Sequence, residues 1–313
     1  SSSSSTAPRL TSGDTGVLMG KESSSTSALS TSLGVRRTAS FAVAGLLAGL
    51  SSRCITAPAD RLRVLIATGK IRLGPEADVS IVRQMQDLVA REGVKTLWRG
   101  NLANCLKVAP MKAIKFACYE NCLAAFCANP RRPTLTESIL ISCSVASVST
   151  FIAHPLDTVR TRLAAGVEPG GILSVFRSVI AENGMRGIMK GVAPAMVSNV
   201  PFIGVNLGIF TSLKTMYNER KGKEPLAKPP TGVMLGMSVI STIASELVAY
   251  PFFVVKTNMQ AGLGETWRST AGGIIAKRGV LGLYHGMSVT ALKSMPAAFI
   301  TYFVYENAKA AFV

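Results

Sequence analysis

Apolar residues along the chain gather into six long stretches, roughly 38–66, 102–127, 136–162, 192–217, 231–259 and 287–312. Each is long enough to cross a hydrocarbon core of about 30 Å as a helix rising about 1.5 Å per residue. None is an uninterrupted apolar run, because Arg53, Asp60, Lys107, Lys115, Asp157, Glu246 and Lys293 break them. A charge facing lipid at mid-helix costs about 2.5–3.5 kcal/mol, so these side chains are expected to turn toward a watery interior. Residues 1–34 are dominated by Ser and Thr. Such a composition cannot bury a core, and it reads as a disordered tail or the remnant of an organelle-targeting peptide.

The pattern repeats three times with a period of about 96 residues. In each unit an apolar stretch is interrupted by a proline, Pro58, Pro155 or Pro251, and a basic loop then runs to a glycine, Gly100, Gly191 or Gly286. A second proline follows (Pro110, Pro201, Pro296), and then an aromatic ring (Tyr119, Phe210, Tyr305). A proline inside a span removes a backbone hydrogen bond and kinks the helix, so three kinked helices can converge at one end of a bundle. The expected fold is an all-α membrane protein. Six transmembrane helices form three tandem helix-pair repeats with pseudo-threefold symmetry about the membrane normal. One domain is expected over 35–313, with repeats of about 35–130, 131–226 and 227–313.

Composition sharpens this picture through charge. The 34 Lys and Arg exceed the 17 Asp and Glu, a formal net charge of +17 on a chain that is 48% apolar. Nucleic acid as a partner is excluded, since the bases lack interleaved surface aromatics and the apolar spans would go unexplained. Many of the bases, such as Lys70, Arg91, Lys95, Arg177, Arg268 and Lys277, fall in the loops after the kink prolines. That side is expected to be the inner face of the membrane under the positive-inside tendency and to meet anionic lipid. The six cysteines have no CxxC spacing and the two histidines lie far apart. The cysteines read as small buried residues; no metal, cofactor or enzymatic chemistry is expected.

At the kink prolines the repeats read PADRLR (Pro58 to Arg63), PLDTVR (Pro155 to Arg160) and PFFVVK (Pro251 to Lys256). Asp60 with Arg63, and Asp157 with Arg160, stand at i, i+3 on one helix face. Repetition favours a ring in which the acid of one helix meets the base of the next. Glu92, Gly93, Trp98, Arg99 and Gly100 complete the first copy, and Gly184, Lys190 and Gly191 partly complete the second. In the third, Phe253 stands in the place of the first acid, Arg278 in that of the second and His285 in that of the base. With these motifs the chain resembles the mitochondrial carrier family over residues 38 to 313. The resemblance implies a matrix gate in which Asp60 pairs with Arg160 and Asp157 with Lys256, Gln260 braces the latter pair, and Arg63 is left without a carboxylate. It also implies a cytoplasmic gate from Tyr119, Glu120, Lys214, Tyr305, Glu306 and Lys309, with Glu120–Lys214 the one full cross-helix pair.

A substrate lacks threefold symmetry, so polar positions that differ between aligned repeats are the candidates for holding it. Aligning on the closing glycines sets Asn104 with Ala195 and Thr290, Lys107 with Ser198 and Lys293, and Lys115 with Asn206 and Thr301. Arg53 aligns with Thr150 and Glu246, five residues before each kink proline. Asn104, Lys107, Met111 and Lys115 form one helical stripe. Arg53, Lys107, Lys115 and Lys293 outnumber Glu246, which points to an anionic, phosphorylated substrate. The stretch from Trp98 to Glu120 looks most like the adenine-nucleotide branch of the family, the ATP-Mg/phosphate and Brittle-type carriers, and Gly204 with Val205 would then take the base. The resemblance implies exchange of adenine nucleotides by alternating access in the mitochondrial inner membrane, a plastid-type membrane being the less favoured location. Cardiolipin would be a lipid partner. A coenzyme A or other nucleotide-derivative carrier, and a non-transporting structural subunit of a larger membrane complex, are the alternative readings.

Overall fold

The computed structural model describes residues 43–71, 81–127, 133–168, 170–222, 224 and 227–312; the expected tail over 1–34 lies outside them. Eleven α-helices follow in order: α1 (43–67), α2 (Ile81–Glu92), α3 (Asn101–Leu106), α4 (Val108–Phe126), α5 (Leu135–Ala164), α6 (Ile172–Ile188), α7 (Val192–Val197), α8 (Asn199–Arg220), α9 (Thr231–Gln260), α10 (Trp267–Arg278) and α11 (Met287–Phe312). Helices α1, α5 and α9 are the kinked members of each repeat. The pairs α3–α4 and α7–α8, and α11 alone, are the second members, and α2, α6 and α10 are the short loop helices.

Local chemistry sets the boundaries. Pro110 has no N–H, and its ring crowds the carbonyl four residues earlier, so one helical bond is lost and the helix is interrupted at Lys107, whose own backbone stays in the right-handed helical region. Pro201 does the same at Ser198. Helix α5 begins with a capping box in which the Thr134 hydroxyl accepts from the Glu137 N–H at 3.3 Å and the Glu137 carboxylate accepts from the Thr134 N–H at 2.7 Å. Pro58 leaves the carbonyl of Cys54 without its helical donor, and the Trp98 indole N–H fills the vacancy at 2.9 Å.

Among the described residues, four helices are long and apolar enough to cross a membrane: Leu135–Ala164, Val192–Arg220, Thr231–Gln260 and Val280–Val304. The other two expected spans are present as helices but carry more charge, Arg53, Asp60, Arg61 and Arg63 on α1 and Lys107, Lys112, Lys115 and Glu120 on α3–α4. Side chains are distributed inside-out relative to a water-soluble bundle. Leu47, Ile55, Leu140, Phe151, Ile240, Leu247 and Phe299 are exposed, while Asn104, His154, Asp157, Thr158, Ser245, Asn258 and Gln260 are buried. That is the arrangement of helices that turn their apolar faces to lipid and their polar faces to each other.

The three repeats close on one another with threefold regularity at the kink-proline end. The carbonyl nine residues after each kink proline accepts a side-chain bond from the preceding repeat. Arg61 donates to Ala164 at 3.3 Å, Arg162 to Gln260 at 3.1 Å, and Asn258 to Ala67 at 3.0 Å. The closing glycines lie against the gate-base carbonyls in the same cyclic order. A Cβ would fall 2.7 Å from the Arg160 oxygen at Gly100, 3.1 Å from that of Lys256 at Gly191, and 3.5 Å from that of Arg63 at Gly286. All three also have φ between +82° and +90°, a region that favours glycine. Val64, Ala164, Ala165 and Ala261 pack together as an apolar plug contributed by all three repeats.

Candidate functional site

Just inside this plug the kinks at Pro58, Pro155 and Pro251 bring the candidate gate residues together. Arg160 on α5 reaches Asp60 on α1 at 3.6 Å and Asp157 on its own helix at 3.8 Å. Asp157 also accepts from Lys256 of α9. Gln260, expected from the resemblance to brace this pair, makes its side-chain hydrogen bonds to α5 threonines among the described residues. Its side-chain carbonyl accepts from the Thr161 hydroxyl at 2.8 Å and its amide donates to Thr158 at 3.4 Å, because one helical turn carries it below the carboxylate. Arg63 makes no ion pair among the described residues. Its guanidinium lies 3.6 Å from the centroid of Phe253, with Tyr250 at 5.1 Å, so a cation–π contact replaces the missing carboxylate.

Two lysines expected to face substrate are also part of this network. Lys107, at the break between α3 and α4, donates to Asp157, and Lys293 of α11 donates to Asp60. Both side chains are largely buried. The arrangement follows the repeat, with the lysine of one unit holding the acid of the next. At the third equivalent position Ser198 stands in place of the lysine and Phe253 in place of the acid, and the two line one small pocket. Lysine and carboxylate are therefore lost together.

Above the network lies a cavity of about 430 Å³ whose charged lining includes Arg53, Lys107, Lys112, Arg160 and Lys293, with Asp60 the acid among them. It shares Lys293, Ala297 and Thr301 with a space of about 490 Å³ reaching Glu246 and Tyr302. Through Arg63 and Phe253 it also joins a side pocket of about 210 Å³ walled by Ser198, Asn199, Phe202 and Glu246. One carboxylate oxygen of Glu246 is buried without a hydrogen-bond partner. The Arg53 guanidinium donates to the Asn104 side chain at 2.6 Å. Lys112, not singled out from the sequence, lines the cavity and donates to the Gly45 carbonyl at 2.6 Å; Lys115 stands three residues further along α4, and both lysines are exposed. Ser198 and Asn199 form the α8 wall of the side pocket; Gly204 and Val205 lie half-buried further along the helix. Asn206 turns to α9, its amide 3.5 Å from the Ser241 hydroxyl.

At the opposite end, Tyr119 packs with Leu123, Cys127, Ile141 and Val145 between α4 and α5. Glu120 is exposed and Lys214 half-buried. The side chains of Tyr305, Glu306 and Lys309 lie outside the described set.

Comparison with known sequences places these features in a family context. The mitochondrial carrier protein profile matches three times, over residues 36–129, 131–221 and 228–313. Among curated relatives, the mitochondrial adenyl nucleotide antiporter SLC25A24-A of Xenopus laevis is 31% identical over 279 residues, covering 85% of this chain and 57% of that protein. SLC25A25 of Mus musculus is 32% identical over 275 residues, covering 85% and 58% respectively. SLC25A24 of Homo sapiens is 32% identical over 277 residues, covering 85% and 57%. The chain thus spans a little over half the length of these relatives.

Proposed function

The chain belongs to the mitochondrial carrier family, and from that membership we propose that it exchanges adenine nucleotides across the mitochondrial inner membrane by alternating access. The observation that carries this reading is the cation-rich cavity enclosed by helices whose outer faces are apolar. A polyanion is stabilised there by Arg and Lys side chains, whereas a neutral solute would leave their charge uncompensated. The names of the relatives, mitochondrial adenyl nucleotide antiporters, supply the nucleotide and the exchange.

In the proposed cycle the phosphates bind Arg53 and Lys112 first and then draw Lys107 and Lys293 away from Asp157 and Asp60. Each carboxylate loses a cation at the moment the nucleotide gains one. The matrix gate of Asp60, Arg160, Asp157 and Lys256 is weakened only when cargo is present. A ligand that interacts differently with the closed and open states shifts the balance between them. No bond in the nucleotide is made or broken. Proteoliposomes loaded with ATP, ADP, AMP, coenzyme A or phosphate test the proposal. Counter-exchange of external labelled ADP against an internal adenylate is the expected result; exchange of another solute with none of any adenylate would overturn it.

A further inference from the structure

The cysteines do not share the buried character expected of them. Cys127 alone is buried, Cys105, Cys118, Cys122 and Cys143 are half-buried, and Cys54 is exposed. Two of them meet: the sulfurs of Cys54 on α1 and Cys105 on α3 are 4.0 Å apart. Asn101 serves both, donating from Nδ2 to the Cys54 sulfur at 3.4 Å and accepting at Oδ1 from the Cys105 thiol at 3.9 Å. Cys54 is the more exposed of the two, so it is the sulfur that an oxidant meets first. The indole of Trp98, bonded to the Cys54 carbonyl and itself exposed, is of the residue type that collects at the membrane–water boundary. An uncharged oxidant as small as hydrogen peroxide can enter at that exposed sulfur.

We propose that Cys54 and Cys105 form an oxidation site that locks α1 to α3. The Cys54 thiolate attacks one oxygen of hydrogen peroxide, the O–O bond breaks, and sulfenic acid and water are formed. The Cys105 sulfur then displaces the hydroxyl of that sulfenic acid as a second water and closes the disulfide. Two thiols are oxidised, one peroxide is reduced to two waters, and both thiol protons end in water. An S–S bond is about 2.05 Å long, so the two sulfurs must close from 4.0 Å. On the cavity side of the same helix pair, Arg53 holds Asn104 at 2.6 Å. The disulfide backs that contact with a covalent rung, so Arg53 can no longer part from Asn104 to take a phosphate.

The full chain in proteoliposomes is treated with hydrogen peroxide, alkylated with N-ethylmaleimide, digested and analysed by mass spectrometry, with nucleotide exchange measured in parallel. The expected result is a linked Cys54–Cys105 peptide and loss of exchange that dithiothreitol restores. C54S and C105S should each keep exchanging after peroxide. Alkylation of both cysteines after peroxide overturns the site. Linkage with undiminished exchange overturns the locking role, as does equal peroxide sensitivity in C105S. The exchange readout rests on the transport function proposed above, but the linked peptide does not. A reduced protein that moves no nucleotide would count against transport, while the mass measurement would still decide the site.

Discussion

The pairing of Lys107 with Asp157 lends itself to a double-mutant cycle with unequal arms. Each side chain is only 11% exposed, so removing one partner exposes the other to the cost of an uncompensated buried charge, about 3–5 kcal/mol in full. Asp157→Asn incurs most of that cost, because Lys107, Lys256 and Arg160 are then left facing a neutral amide. Lys107→Met costs less, about 1–2 kcal/mol, since Asp157 keeps Lys256 and has Arg160 at 3.8 Å. In the double variant Lys107 is no longer orphaned, and a coupling of about 1–3 kcal/mol is expected. At roughly 2–4 °C per kcal/mol for a domain of this size, Asp157→Asn should lower the apparent Tm in detergent by about 10 °C. Lys107→Met should lower it by a few degrees, and the double variant by clearly less than the sum. The assay is thermal unfolding of the four purified proteins at one ionic strength. Strict additivity, or equal losses from the two single changes, would refute the reasoning and return Lys107 to the substrate alone.

Two further perturbations test other parts of the argument. Trp98→Phe leaves the Cys54 carbonyl freed by Pro58 without that donor, at a cost of about 0.5–1.5 kcal/mol. Its apparent Tm should fall while that of Trp267→Phe, at an exposed position opening α10, stays put; equal behaviour would dismiss the indole as a cap. Phe253→Asp exchanges the cation–π contact under Arg63 for a third gate ion pair. That substitution should favour the closed gate by about 1 kcal/mol and slow nucleotide exchange roughly fivefold, measured in proteoliposomes; faster exchange would show that Arg63 does not act at the gate.

The parts of the fold that were legible from sequence are those fixed by short-range chemistry. Prolines at equivalent positions, glycines that close each loop and apolar runs of spanning length marked the helices to within a few residues, because each acts on its own backbone or on the solvent around it. Partners for the lysines were harder to see, since Lys107 and Asp157 are joined only when two repeats are folded against each other. The helical stripe from Asn104 to Lys115 passed over Lys112, which lines the cavity and donates to the Gly45 carbonyl of α1. The missing clue was nevertheless in the alignment of repeats. Lysine stands at 107 and 293 and serine at 198, while the acid of the following repeat is present at 157 and 60 and absent at 253. A lysine that only held substrate would have no reason to disappear together with a carboxylate on another helix. One that holds the carboxylate between visits of the substrate does, because without the acid it would be a buried charge with no counter-ion whenever the cavity is empty. The repeat that lost both instead gave Arg63 an aromatic face, which compensates a cation without calling for a lysine.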